Sequence, residues 1–187
     1  MRNDISLELA SRLTEQVKTA FENGSLLDAV TPVTQDLLKF WFMGPYTEER
    51  SKNFHEGQKQ SILNIIYLHE VLQVTTVEEI YRQVAPDLLA ECNLSDLAKE
   101  KYRIPKYAVK MATGTGKTWV MHALLLWQLL NGRHEEQEER SGRYTQNFLI
   151  VAPGLIVYDR LKDAYCGRLK ENCTERDPFT NDLYLHK

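Results

Sequence analysis

The chain has 187 residues, 43% hydrophobic and 26% charged, which is the composition of a globular protein with one domain and a small addition. Its net charge of −3 excludes an overall basic field for nucleic acid, although it leaves room for a local basic groove. The sequence starts without an apolar signal core, no apolar run reaches membrane length, and three cysteines lack metal-ligand spacing. We therefore expect a cytoplasmic protein that has no membrane partner.

The residue pattern of the N-terminal part of the chain, residues 1–104, predicts a helical region. Apolar residues at helical spacing predict a first helix over residues 5–22. A second helix is predicted over residues 35–42, with Thr34 as its N-cap. The polar residues 46–53 predict a loop.

The same periodicity continues in the second half of this region. It predicts a third helix over about residues 55–72 and a fourth after the capping pair Thr75-Thr76. Residues 88–99 are partly helical in pattern. Ile104-Pro105 ends the region, since the residue before proline disfavours helix.

A glycine-rich stretch then separates an apolar run from a helical pattern. Residues 107–111 predict a buried strand, and residues 119–130 predict a helix. Between them stands Met111-Ala112-Thr113-Gly114-Thr115-Gly116-Lys117-Thr118. A strand, a glycine turn, Gly-Lys-Thr and a helix is the arrangement of a phosphate-binding loop.

Each residue type in this stretch has a chemical use. Gly114 and Gly116 let the backbone turn tightly and bring N–H groups close to a phosphate. The start of the helix favours an anion. Lys117 can place a full charge on the β and γ phosphates, and the Thr118 hydroxyl can hold Mg²⁺.

The match has a departure and an alternative. The strict pattern begins with Gly, and Met111 stands there instead. The alternative is a glycine turn that precedes Lys-Thr by chance. A dinucleotide fingerprint is excluded, because Trp119 stands where its third glycine would be.

The remainder of the chain predicts a second strand and two helices. Residues 118–131 are apolar almost all round, with Gly132 as the expected C-cap, and residues 133–146 predict a surface loop. Residues 147–153 read as a central parallel strand, and residues 155–167 as a helix. Two such strands joined through a helix form a right-handed βαβ unit, so the predicted fold class is α/β.

Three strings, in order, resemble the start of a superfamily 2 helicase or translocase. They are Asn53-Phe54-His55-Glu56-Gly57-Gln58-Lys59-Gln60-Ser61-Ile62, the glycine-rich stretch 110–118, and Phe148-Leu149-Ile150-Val151-Ala152-Pro153-Gly154. These are similar to the Q-type motif, motif I and motif Ia. The wording of the second string looks most like the Res subunit of type III restriction enzymes, and DEAD/DEAH-box-like relatives are equally compatible.

The resemblance implies ATP and Mg²⁺ as cofactors. It implies that Lys117 and Thr118 act in catalysis, with Mg²⁺ on Thr118, and that the nucleotide is bound by Thr113, Gly114, Thr115, Gly116, Lys117 and Thr118. The Gln58 amide would read adenine, with Phe54 near the ring. The alternative for Gln58 is a polar residue on a helix face. Because the gap to Lys117 is long, either a helical insertion loops out or Gln58 does not read adenine.

The resemblance also implies DNA as a partner. Pro153 and Gly154 match the place where this family touches the nucleic-acid backbone, and Arg160 and Lys162 could reach phosphates. The alternative for the two basic residues is ordinary surface charge.

A working motor of this family needs an Asp-Glu pair at a strand end and an arginine from a second lobe. Neither is found after residue 153. We therefore expect residues 105–187 to be the incomplete first part of a RecA-like phosphate-loop NTPase lobe. We also expect the chain to be the front end of a longer ATP hydrolase that works in a restriction system. A modification or other subunit of that system is expected as a further partner. Two alternatives stay open: a non-helicase phosphate-loop NTPase, and a non-catalytic adaptor in which the loop is a nucleotide switch.

Overall fold

A computed structural model of the chain describes residues 5–91, 106–138, 142–152, 154–171 and 174–180. The chain divides into two compact units, Met1–Tyr144 and Thr145–Lys187. Each unit has its own short-range packing and is described by itself. The predicted boundary between residues 104 and 105 lies outside the described residues and stays a prediction.

The first unit is helical. Its helices are Ile5–Glu22 (α1), Ser25–Ala29 (α2), Pro32–Phe42 (α3), Tyr46–Glu49 (α4), Glu56–Ile66 (α5), Val77–Val84 (α6), Pro86–Leu89 (α7) and Lys117–Gln137 (α8). A π-helical turn, Tyr67–Val71, continues α5. The helix predicted over residues 5–22 is confirmed, and part of the one predicted over 88–99 lies outside the described residues.

The helix that follows Thr76 shows why local sequence placed it correctly. The Thr76 hydroxyl accepts a hydrogen bond from the Glu79 N–H at 3.3 Å, and the Glu79 carboxylate accepts one from the Thr76 N–H at 3.1 Å. This reciprocal arrangement satisfies two N–H groups that a helix start otherwise leaves unpaired. The predicted cap at Thr76 is confirmed.

Two predictions about the N-terminal helices were wrong. The second main helix begins at Pro32 and not at residue 35, because Thr31 is the N-cap: its side chain accepts from the Thr34 N–H at 3.2 Å. Pro32 suits the first helical position, where no N–H is needed. Thr34 is therefore inside the helix and buried. In addition, the predicted loop over residues 46–53 contains the short helix α4.

The predicted parallel strands are absent from the described residues. Residues 106–112 and 147–152 have no regular secondary structure, and the sheet that is present is antiparallel and two-stranded, Arg168–Leu169 (β1) with Arg176–Asp177 (β2). A strand requires a hydrogen-bonded neighbour, which an apolar run does not by itself provide. Leu149 and Val151 are 89% and 80% exposed, so this run has no burial partner either. The prediction of a βαβ unit with parallel strands was therefore wrong for the described residues.

The glycine expected to end the long helix does not do so. Helix α8 continues through Gly132, which is buried, and its C-cap is Glu138. Five residues of the predicted loop 133–146 are thus helical. The predicted helix over residues 155–167 is confirmed in the second unit as Leu155–Cys166 (α9).

The core of the first unit lies between α1, α3, α5 and α8. Its fully buried side chains include Val17, Leu38, Ile62, Ile66 and Trp127. Burial of a large apolar side chain stabilises a fold by about 1.5–3 kcal/mol, so these helices hold each other in place. Helix α8 is therefore anchored in the core from Val120 to Gly132. In the described ranges, no helix combines the length and apolar character needed to cross a bilayer.

Candidate phosphate-binding site

The glycine-rich loop connects the irregular segment 106–111 to the first residue of α8, Lys117. Gly114 has φ +82° and Gly116, the N-cap of α8, has φ +71°. Residues with a side chain pay about 1–2 kcal/mol in this left-handed region. The two glycines therefore stand at the two places where this turn requires them.

The loop leads directly into the N-terminus of a 21-residue helix. The first N–H groups of such a helix have no partner within it, and its dipole adds partial positive charge. Because α8 is anchored in the core, these donors occupy a fixed place. The arrangement suits an anion such as a phosphate.

Hydrogen bonds within the loop converge on one carbonyl. The Ala112 oxygen accepts from the Thr115 hydroxyl at 2.7 Å, from the Thr115 N–H at 3.4 Å and from Lys117 Nζ at 2.7 Å. An ammonium group has three N–H donors, so this contact uses one donor of Lys117 and leaves two for a ligand. Lys117 is exposed, and moving its charge onto a phosphate would expose no buried group.

The departure from the strict pattern has a packing explanation. Met111 is half-buried and packs against the core of the first unit. Its side chain fixes the start of the loop by this packing, which glycine could not provide because it has no side chain. The positive φ angles lie further along, at the glycines.

Gln58 lies against the loop, 58 residues away in sequence from Gly116. It is buried, and its Nε2 donates to the Thr115 oxygen at 3.1 Å and to the Gly116 oxygen at 3.2 Å. Its Oε1 accepts from the His55 N–H at 3.0 Å. The fold thus brings the two distant motifs together, and the Gln58 amide is engaged on both sides. Its predicted role in reading adenine stays a prediction.

His55 is a site residue that sequence reasoning missed. Its Nδ1 accepts from the Gln58 N–H at 3.4 Å, which caps α5, and its Nε2 lies 3.0 Å from the Thr115 oxygen. A carbonyl accepts only, so these two contacts require the neutral ring that carries its hydrogen on Nε2. The available signal was the spacing of a capping box, with Gln58 three residues after the cap and His in place of Ser or Thr.

Phe54 packs among aromatic rings beside the loop. Its ring centroid lies 6.1 Å from that of Trp119, 6.2 Å from Trp41 and 5.6 Å from Phe42, all in edge-to-face geometry. Such pairs add about 0.5–1.5 kcal/mol each beyond simple burial. Phe54 therefore joins α3 to the first turn of α8, and its predicted contact with adenine stays a prediction.

A buried polar cluster supports α8 ten residues after the loop. We define it as Thr34, Glu70, Trp127 and Asn131, all at most 4% exposed. The Glu70 carboxylate accepts from Trp127 Nε1 at 2.6 Å, from the Thr31 N–H at 2.8 Å and from the Thr34 hydroxyl. Asn131 Nδ2 donates to the Thr34 hydroxyl at 2.9 Å. A buried carboxylate is tolerated because these donors satisfy it.

The predicted nucleic-acid contacts fall in the second unit. Pro153 lies outside the described residues, Gly154 is the extended N-cap of α9, and Arg160 is exposed on that helix. Lys162 Nζ lies 4.5 Å from the centroid of the Tyr158 ring. These residues stay predictions.

The residues present fit a nucleoside triphosphate with Mg²⁺. An added Cβ at Gly114 would meet nothing within 4 Å, so the outer side of the loop is open to a ligand. Thr113, Gly114 and Thr115 supply backbone, Lys117 supplies charge, and Thr118 is a half-buried hydroxyl in the first turn of α8. Among the described residues no group of three His, Cys, Asp or Glu side chains could hold a metal ion by itself. Mg²⁺ is commonly held by substrate phosphates together with few protein ligands, a role that the Thr118 hydroxyl suits.

A glycine loop with Lys-Thr at the start of a long helix defines a phosphate-loop protein. The family model for the res subunit of type III restriction enzymes matches residues 51–184. The chain therefore belongs to the family of type III restriction enzyme res subunits, a family of helicase-like ATPases that act on DNA and use ATP and Mg²⁺. No curated protein and no solved structure matches the chain significantly.

Proposed function

We propose that this chain supplies the ATP-binding part of a DNA-dependent ATPase, a helicase or translocase of a type III restriction system. The observation that carries the proposal is the open glycine loop at the N-terminus of α8, with Lys117 at its end. Membership of a family of helicase-like ATPases supports a nucleotide as the ligand of this loop.

In this proposal the chain's own residues bind and orient the nucleotide. Backbone N–H groups from Thr113 to Thr118 hold the phosphates, and Lys117 neutralises their charge. The Thr118 hydroxyl holds Mg²⁺, which, when bound, would stabilise charge on the transferred phosphoryl group. We propose that this chain by itself binds Mg·ATP and turns over almost none, because no Asp-Glu pair occurs in the sequence after residue 153.

The test of the proposal is calorimetric titration of the chain with Mg·ATP, in wild type and in Lys117→Ala. The change removes a charged donor without touching the core, so affinity should fall by about a hundredfold while the unfolding midpoint stays the same. Lys110→Ala is the matched control, because it removes an equally exposed lysine close to the loop. Unchanged affinity in Lys117→Ala, or equal loss in the control, would reject the phosphate site.

We propose DNA as a partner, contacted by Pro153, Gly154 and Arg160. A modification or other subunit is a further proposed partner. A different phosphate-loop NTPase would give no response to DNA. Titrating the chain with duplex DNA at several salt concentrations separates these readings, because phosphate contacts give a steep salt dependence. The adaptor alternative is less favoured, because α8 shares one core with α3 and α5 and so the loop is not a separate module.

A further inference from the structure

Three hydrogen bonds join the start of α5 to the end of the glycine loop. His55 Nε2 and Gln58 Nε2 both donate to the Thr115 oxygen, at 3.0 and 3.1 Å, and Gln58 Nε2 also donates to the Gly116 oxygen at 3.2 Å. Two consecutive carbonyls are therefore held from the same side. We call His55 and Gln58 the α5 clamp.

The α5 clamp also sets the direction of two N–H groups. In a planar trans peptide, the C=O of one residue and the N–H of the next point in opposite directions. Since the Thr115 and Gly116 oxygens point toward α5, the N–H groups of Gly116 and Lys117 point away from it. These are donors at the N-terminus of α8, where no partner within the helix exists.

The α5 clamp has a fixed orientation. The His55 N–H holds Gln58 Oε1 at 3.0 Å, so the amide is held with its NH₂ group toward the loop. In turn the Gln58 N–H holds His55 Nδ1, which leaves the ring hydrogen on Nε2. Each clamp residue thus orients the other.

The loop is shaped to receive the α5 clamp. A Cβ built on Gly116 would lie 2.4 Å from Gln58 Nε2, a distance at which something must shift. Gly116 therefore meets two requirements, its positive φ and the close approach of the Gln58 amide. Gly114 has the same sign of φ and no neighbour within 4 Å of such an atom.

We propose that His55 and Gln58 are positioning residues for triphosphate binding, which hold the Gly116 and Lys117 N–H groups in the direction that a phosphate needs. This inference rests on the proposed function of the loop. It assigns the Gln58 amide to the loop backbone and the adenine base to other groups. The α5 clamp should therefore favour binding of any triphosphate at the loop, with or without a base.

Two variants separate the clamp contacts from the capping of α5. Gln58→Glu keeps an oxygen for the His55 N–H and replaces the donor by an acceptor that faces two carbonyls. His55→Asn keeps a good N-cap acceptor on a side chain too short to reach Thr115. Gln83→Glu is the matched control, since Gln83 also donates its amide to a backbone carbonyl, that of Leu72, away from the loop.

The experiment titrates each variant with Mg·ATP and with inorganic tripolyphosphate, which carries no adenine. Loss of one hydrogen bond weakens binding about fivefold, so His55→Asn should lose about that much, and Gln58→Glu at least twentyfold. The losses should be equal for the two ligands, with Gln83→Glu unchanged. A loss confined to ATP would show that Gln58 reads adenine, and unchanged binding of both ligands would also overturn the proposal.

A readout without nucleotide keeps the two hypotheses apart. In the free protein, ¹⁵N relaxation of Gly114 and Gly116 should show greater mobility in both clamp variants than in wild type or Gln83→Glu. If wild type binds neither ligand, the proposed function fails, while this measurement still decides whether the α5 clamp orders the loop. Equal mobility in all four proteins would overturn the clamp.

Discussion

Two stretches of the same helix, α8, use polar groups in opposite ways. At its N-terminus, Lys117 is exposed and its ammonium bonds to the backbone of its own loop. Further along the helix, Trp127 and Asn131 are buried and bond to Glu70 and Thr34 on other elements. The first set of contacts can be exchanged for a ligand, and the second connects three parts of the fold. Under the proposed function, binding and stability are therefore separated along one element.

The physical reason for the separation is the solvent. An exposed donor loses little when it exchanges one partner for another, because water competes for it throughout. A buried carboxylate has no such alternative, and its removal deprives each of its donors of a hydrogen bond. Variants at the two stretches should therefore differ in kind: changes at Lys117 should alter affinity, and changes in the buried cluster should alter stability.

Replacing Glu70 by alanine should give the largest loss of stability. The change leaves the Thr31 N–H without its acceptor and deprives Trp127 Nε1 of its shorter contact, so the free energy of unfolding should fall by about 3 kcal/mol. Urea unfolding measures it. Glu22→Ala, at an exposed position at the end of α1, should change stability by under about 0.5 kcal/mol. If the folded fraction of Glu70→Ala also lost Mg·ATP affinity, the separation would be wrong.

Trp127→Phe should give an intermediate loss. The substitution keeps an aromatic ring in the core but removes the Nε1 donor that lies 2.6 Å from Glu70 and 3.0 Å from the Thr34 hydroxyl. We expect a loss of about 1–2 kcal/mol, since the carboxylate keeps the Thr31 and Thr34 donors. The same urea titration measures it, and a loss equal to that of Glu70→Ala would mean that ring packing, rather than the hydrogen bond, dominates this site.

The smallest expected effect is a pH dependence from His69. Burial, and then the charge of Arg143, lower the pKa of His69 below its ordinary value of 6.5. The unfolded chain therefore takes up this proton more readily, so stability is highest above about pH 6.5 and falls as the pH drops toward the lowered pKa. His69→Phe, which keeps a ring beside Trp127 and Tyr144, should flatten the decline. Unfolding midpoints across that range measure it, and an unchanged slope would contradict the prediction.

The sequence predicted several helices and the glycine turn because their signals are local. Periodic apolar residues placed α1, the Thr76 capping pair placed α6, and Gly-Lys-Thr placed the turn into α8. A helix satisfies its own backbone hydrogen bonds, so eleven or more residues of pattern are sufficient evidence for it. The two predicted strands failed because strand pairing depends on a distant neighbour.

The buried cluster and the α5 clamp were missed for a different reason. Ile62, Ile66 and Glu70 follow each other at intervals of four, which places Glu70 on the buried side of the same helical face. Acidic side chains rarely lie inside a protein unless they are paired, so the residue type by itself gives no sign that this position is buried. His55 was overlooked as a cap because its ring nitrogen replaces the usual hydroxyl. The signal for Glu70 is its place in the apolar periodicity, and the signal for His55 is the spacing of the capping box.

The family match starts at residue 51, yet much of what holds α8 in place comes earlier in the chain. Thr31 and Thr34 supply two of the three donors to Glu70, and Leu38 and Trp41 are part of the common core. Trimming an expressed protein to the matched segment would therefore remove residues that pack against α8 and hold the glycine loop in place. The smallest autonomous piece that carries the loop has to begin upstream of residue 31, whatever the homology boundary suggests.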